Sequence, residues 1–122
     1  MAASRKRRPG HVYDVGSEPD PRFSFANERT FLAWIRTALA LIAGGVALEA
    51  LVEDLPSVPR RVCAIFLIVL GMACAAVAYQ RWARNERALR QNEPLPPPAM
   101  APLLSVGAIV VGVVVIVLVA TA

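Results

Sequence analysis

Three apolar runs divide the chain. Thr30–Leu48 is 19 residues interrupted only by Arg36, Val62–Gln80 is 19 residues without a charge, and Leu103–Ala122 is 20 residues without a charge. About 20 apolar residues in a helix cross the hydrocarbon core of a bilayer. The pattern predicts an all-α integral membrane protein with three transmembrane helices, over about 30–51, 62–80 and 103–122. A cleaved signal peptide is the competing reading of the first run. Its apolar region would span about 7–15 residues and follow directly on a basic start. Here Arg5–Arg8 lies far upstream and Arg36 breaks the run, so the first run is expected to be retained as a span.

The segments between the runs are polar or rich in proline. Met1–Asp20 carries Arg5-Lys6-Arg7-Arg8 and is expected to be a flexible basic tail, with residues 21–122 forming the membrane domain. Asp20-Pro21 suits a helix start, because Asp can cap and Pro fits the first helical position. A short amphipathic interfacial helix is therefore expected from about Pro21, running into the first span near Thr30. Leu51–Arg61, with Pro56 and Pro59, reads as a short loop. Arg81–Arg90 continues the second span as a basic helical end. Asn92–Pro102 contains Pro94, Pro96, Pro97, Pro98 and Pro102 and reads as a stiff non-helical linker.

Composition agrees with this class. The chain is 57% hydrophobic, above the roughly 45–50% of soluble domains, and the excess lies in the three runs. Lysine and arginine set the expected orientation. Six lie in the N-terminal segment (Arg5, Lys6, Arg7, Arg8, Arg22, Arg29) and four in the second connection (Arg81, Arg84, Arg87, Arg90). Only Arg60 and Arg61 lie in the first connection. The N-terminus and second connection are expected in the cytoplasm, and the C-terminus outside a plasma or inner membrane. Trp34, Tyr79 and Trp82 fall near the cytoplasmic boundary, where amphipathic rings prefer to sit. The basic run at Arg5–Arg8 fits topology control or contact with anionic lipid. Four charges with no fold around them do not call for nucleic acid.

Little points to catalysis. Cys63 and Cys74 lie eleven residues apart in one span, about 16 Å along a helix, too far to bridge. They read as small packing residues. There is one histidine, His11, and no spacing that suggests a metal site, a nucleophilic triad, a phosphate loop or a cofactor. The carboxylates Glu28, Glu49, Glu53, Asp54 and Glu86 fall on two sides of the membrane. No enzymatic activity is expected.

The charge inside the first span is the strongest feature. Arg22, Arg29 and Arg36 recur every seven residues and would form one seam on a continuous helix. Ala33, Ala40, Ala43, Gly44 and Ala47 continue the same face. Small residues in membrane helices mark close approach of other helices, so this face is expected to look into protein or a cavity. One alternative has Arg36 snorkelling to the headgroups; another pairs it with Glu28 or Glu86. Arg81 and Arg84 add charge at the same level, although cations also suit a helix C-terminus. Rings of arginine select anions in pores, but three helices cannot enclose a pore without further copies. Gly71, Ala75 and Ala78 give the second span its own small-residue face. The two Asn-Glu-Arg triplets, Asn27–Arg29 and Asn85–Arg87, are too short to establish a repeat.

The stretch Asp20–Leu41, DPRFSFANERTFLAWIRTALAL, is more specific than any periodicity. It resembles the signature of the YidH-like membrane family, domain of unknown function 202, with its core at Asn27–Thr37. The resemblance extends to Tyr79-x-Arg81 at the end of the second span. It implies a three-span helical protein with a cytoplasmic N-terminus. It also implies kinship with the small membrane subunits of the vacuolar transporter chaperone complex, in which similar units surround a basic path for polyphosphate. Carried over by motif, Arg29 and Arg36 correspond to the basic positions of the first helix and Glu28 to their acidic partner. Arg81 or Arg84 approximates the basic end of the second helix. The chain departs from that complex in having no polymerase or phosphate-sensing domain. Two functions follow as expectations. One is an oligomeric subunit, homo-oligomeric or with a partner membrane protein, lining a path for anions such as polyphosphate. The other is a structural or assembly subunit with no transport of its own, in which the small-residue faces at Ala40, Gly44, Ala47, Gly71 and Ala75 bind partner helices.

Overall fold

A computed structural model describes residues 7–96 and 100–121. Arg5, Lys6, Pro97 and Pro98, which enter the sequence analysis, lie outside the described residues. The order is α1 (Gly10–Tyr13), α2 (Pro21–Leu51), α3 (Ser57–Gln91) and α4 (Met100–Thr121). Three of these helices are long and apolar enough to cross a membrane, and a short helix precedes them.

Helix α2 begins as its sequence predicts. Asp20 caps it by accepting the Arg22 backbone N–H at 2.9 Å, and Pro21 occupies the first turn. No break separates an interfacial part from a membrane part. Pro21–Leu51 is one helix of 31 residues, about 46 Å long, so the expected interfacial helix is the first two turns of the same rod. Helix α3, at 35 residues, is longer still. It ends at Asn92, in the left-handed region at φ 53°, which asparagine tolerates. The Glu93 N–H then bonds back to the Ala88 carbonyl at 2.9 Å. Both long helices therefore extend past the expected spans at the same end of the molecule.

Two expected loop boundaries move. Pro59 lies in the first turn of α3 and Pro102 in the first turn of α4. First-turn N–H groups have no partner within the helix, so a proline there removes no helical bond. The first connection is accordingly residues 52–56 and the helical part of the second begins at Met100.

Helices α2 and α3 form an antiparallel hairpin in constant register. Ser24 meets Glu86, Trp34 meets Cys74, Ala38 meets Gly71, and Gly45 meets Ala64. At the far end Glu49 meets Arg60 and Arg61, at 3.6 and 3.4 Å. Every step up α2 is matched by an equal step down α3. The core is built of small side chains, Ala38, Cys74 and Ala78, flanked by Phe31, Trp34, Ile35 and Leu104. Cys63 and Cys74 are buried without a disulfide. Helix α4 rests lightly on α3, where Leu70 packs at Gly107. Its other described side chains are exposed or half-buried, including Ile109, Val113 and Ile116.

The contact line dictates which glycines matter. A Cβ at Gly71 would lie 2.7 Å from the Ala38 carbonyl, and one at Gly45 would lie 2.7 Å from the Ala64 carbonyl. Backbone atoms cannot rotate aside. A Cβ at Gly44 would meet nothing within 4 Å. Gly71→Ala and Gly45→Ala should each destabilise the protein by about 1–3 kcal/mol. Gly44→Ala should be neutral or stabilise it by up to about 1 kcal/mol, as expected for an open helical site. Unfolding in detergent, followed by circular dichroism, checks the contrast.

Candidate functional site

The polar end of the hairpin holds nearly all the candidate chemistry, and the structure sorts it onto two faces of α2. On one face lie Arg22, Arg29 and Arg36, all exposed. They stand about half a turn from the buried line Asn27, Ala38 and Gly45 that meets α3. Arg22 pairs with Asp20 at 2.9 Å. Neither Arg29 nor Arg36 forms an ion pair among the described residues. Ala33, Ala40, Ala43 and Gly44 are exposed beside them, and Ala47 is half-buried. Among the described residues the arginine and small-residue face is therefore largely uncovered. The small face of α3 is used internally: Gly71 is buried against α2 and Ala75 packs on the core.

The arginines at the end of α3 do not join that stripe as a group. Arg84 is exposed and Arg81 half-buried, lining a small crevice with Asn27, Thr30 and Asn85. Arg87 donates to the His11 carbonyl at 2.8 Å. Arg90 is 7% exposed and donates to the carbonyls of Val15 and Tyr13, each at 2.9 Å. It also reaches Glu18 at 3.4 Å. The Ser17 N–H returns a bond to the Arg90 carbonyl at 2.9 Å. Residues 7–20, expected as a tail, thus lie against the last turns of α3, with Val12 fully buried. Gly16 makes the close approach possible. Its φ is +62°, and a Cβ there would fall 2.1 Å from the Arg90 carbonyl.

On an adjoining face, the N-terminal segment and the ends of α2 and α3 line an open cavity of about 470 Å³. Glu28 and Glu86, expected as salt-bridge partners for the arginines, both line it together with Glu18. Glu28 is exposed, and Glu86 is 4% exposed. Glu86 accepts from the Ser24 hydroxyl at 2.7 Å and from the Asn27 amide at 3.4 Å. Neither carboxylate is ion-paired with Arg29, Arg36 or Arg84 among the described residues. The walls are aromatic. Trp82 sits between Tyr13 and Tyr79, with ring centroids 6.2 and 5.8 Å away. At the rim the Arg7 guanidinium lies 4.5 Å from the Tyr13 ring centroid and pairs with Glu18. No group of three or more His, Cys, Asp or Glu among the described residues is placed to hold a metal ion.

Several of these residues carried no signal by themselves. Ser24, Asn27, Tyr13 and Arg90 matter through partners 55 to 77 positions away. Asn27 could have been noticed, because Phe31, Trp34 and Ala38 follow it at helical spacing on the apolar line. The asparagines of the two Asn-Glu-Arg triplets meet, the Asn85 amide donating to the Asn27 side-chain oxygen at 3.3 Å.

Comparison with known proteins finds a family match over the hairpin. The family model described as "Domain of unknown function (DUF202)" matches residues 22–88. "Inner membrane protein YidH" of Escherichia coli (strain K12) is 51% identical over 83 residues, covering 67% of this chain and 72% of that protein. An uncharacterized protein of Mycobacterium tuberculosis (strain H37Rv) is 47% identical over 104 residues, 84% of each chain. No solved structure matches.

The hold on the N-terminal segment has a pH-dependent part. The hydrogen bond from Arg7 keeps the Glu18 carboxyl below the usual carboxylate range. A carboxyl depressed on folding stabilises the folded contact at higher pH and loses that contribution as pH falls through its folded value. The pair is exposed, so solvent and salt screen it, while the bonds from Arg90 to carbonyls remain. Amide exchange at Tyr13–Ser17, corrected for intrinsic rates, should therefore rise modestly in acid. Arg90→Ala should release the segment at every pH, with protection lost by about 10–100-fold, equivalent to about 1.5–3 kcal/mol.

Proposed function

The chain belongs to the DUF202 family of membrane proteins, and from that membership we propose that it is an oligomeric membrane subunit whose arginine face lines a path for anions such as polyphosphate. One observation carries this reading. Arg22, Arg29 and Arg36 share an uncovered face of a single unbroken helix, together with the small residues Ala40, Ala43 and Gly44. A charged arginine turned to lipid near a span centre costs about 2.5–3.5 kcal/mol. Small residues beside it let another helix approach closely. Copies of the subunit arranged around this face remove the arginines from lipid and gather them into a basic lining of the kind that selects anions. Successive arginines stand about 10 Å apart along the axis, a spacing suited to a polyanion that bridges several cations at once. The kinship with vacuolar transporter chaperone subunits that the Asp20–Leu41 motif implies supports the same reading. The excess of Lys and Arg at the polar end supports an orientation with the N-terminus in the cytoplasm and the C-terminus outside.

A second reading is favoured by the same uncovered surface. Gly44 has open space where a Cβ would stand, and α4 leaves most of its apolar surface free. A larger membrane partner could seat there, making this chain an assembly subunit without transport of its own.

The native mass of the complex in lipid discs separates the two: a closed ring of identical chains supports the path, and a mixed complex supports assembly. A monomer overturns both. In proteoliposomes made from the ring, Arg36→Gln should reduce efflux of short-chain polyphosphate about tenfold or more, without loss of the ring. Undiminished efflux would sink the anion path. Gly44→Leu fills the open site and should break the complex while leaving the hairpin folded, since no atom of its own subunit is in the way.

A further inference from the structure

The cavity at the polar end has the opposite chemistry from the arginine stripe. Of the carboxylates lining it, Glu18 is already matched by Arg7 and Arg90. Glu28 and Glu86 belong to no ion pair among the described residues. The partners recorded for Glu86 are neutral, a hydroxyl and an amide. The Arg7 guanidinium also lines the cavity and acts through space on Glu86 as well as on Glu18. Three carboxylates share the cavity with that one lining cation, however, and the excess of negative charge around a carboxylate 4% exposed favours a further cation brought from outside, because buried charge is costly unless paired. The carboxylates are not grouped to chelate a metal ion. They are spread around a chamber walled by Trp82, Tyr79 and Tyr13, and aromatic faces attract organic cations within about 6 Å of the ring centroid. The chain itself displays this chemistry at the rim, where the Arg7 guanidinium stacks over Tyr13 while pairing with Glu18.

We propose that this cavity is a binding site for an ammonium cation, with Glu86 and Glu28 as its counter-charges and Trp82 and Tyr79 as its aromatic wall. Its volume, about 470 Å³, falls within the roughly 300–1,000 Å³ range of small-molecule sites. Phe31 and Tyr79 form part of its lining, next to the expected limits of the first two spans. At that depth it can receive either a free alkylammonium ion from water or the amine headgroup of a lipid. The site borders the arginine stripe on the next flank of α2 and does not depend on whether the protein conducts anions.

The test uses the full chain in discs of phosphatidylglycerol alone, so that no lipid supplies an amine. In a Trp34→Phe background Trp82 is the remaining tryptophan, and its fluorescence reports on the cavity. Titration with tetramethylammonium chloride, against sodium chloride at equal ionic strength, should give a saturable change. Glu86→Gln and Glu28→Gln should each weaken it about tenfold. Glu28 is exposed, so its variant carries the test if loss of the Ser24 contact unfolds Glu86→Gln. A second arm adds phosphatidylethanolamine to the discs. If the headgroup is the occupant, native mass spectrometry finds that lipid retained by the wild type and lost from the variants, and tetramethylammonium binds more weakly in its presence. If a free ammonium ion is the occupant, tetramethylammonium binds equally with and without that lipid. A titration and a lipid retention that both fail to distinguish the wild type from Glu28→Gln would overturn the proposal.

Discussion

The close antiparallel contact of α2 with α3 is the constraint from which the rest follows. It runs along small residues, with Ala38 against Gly71, Gly45 against Ala64, and Cys74 and Ala78 filling the centre. In a bilayer, helices gain little from hiding apolar surface from lipid that is equally apolar. What holds them is dispersion between surfaces that fit closely, and polar bonds between them. The small side chains provide the first. The second is concentrated at one end, where Ser24, Asn27, Asn85 and Glu86 bond across the interface.

Fixing that line fixes the rotation of α2, and rotation decides the exposure of every charge on it. With Asn27, Ala38 and Gly45 turned to α3, the arginines seven residues apart must turn outward. Glu28 faces the chamber beneath the N-terminal segment. One helix thus presents a basic stripe to its surroundings and a carboxylate to an open aromatic cavity. Nothing among the described residues covers the stripe. The cavity is assembled within the subunit.

The N-terminal segment forms one wall of that cavity because of Arg90. A buried guanidinium needs acceptors for its donors, and two backbone carbonyls, from Tyr13 and Val15, supply them. The positive φ of Gly16 lets the chain pass close enough for Ser17 to bond in return. The basic end of α3 is therefore divided in use: Arg87 and Arg90 anchor the segment, while Arg84 remains exposed.

Fold class and span number were legible in the sequence because apolar run length answers to the thickness of a bilayer, a one-dimensional property. The cap at Asp20-Pro21 and the heptad spacing of Arg22, Arg29 and Arg36 were legible for the same reason, since each depends on neighbours along a single helix. Tertiary structure alone decided which face of α2 packs. Gly44 and Gly45 differ by one position, yet only Gly45 meets a backbone, because a 100° turn separates them. It also decided the partners of Glu86, which pairing by charge assigned to arginine and packing gave to Ser24 and Asn27 more than fifty residues away. Sequence distance hides such contacts, and the antiparallel register creates them.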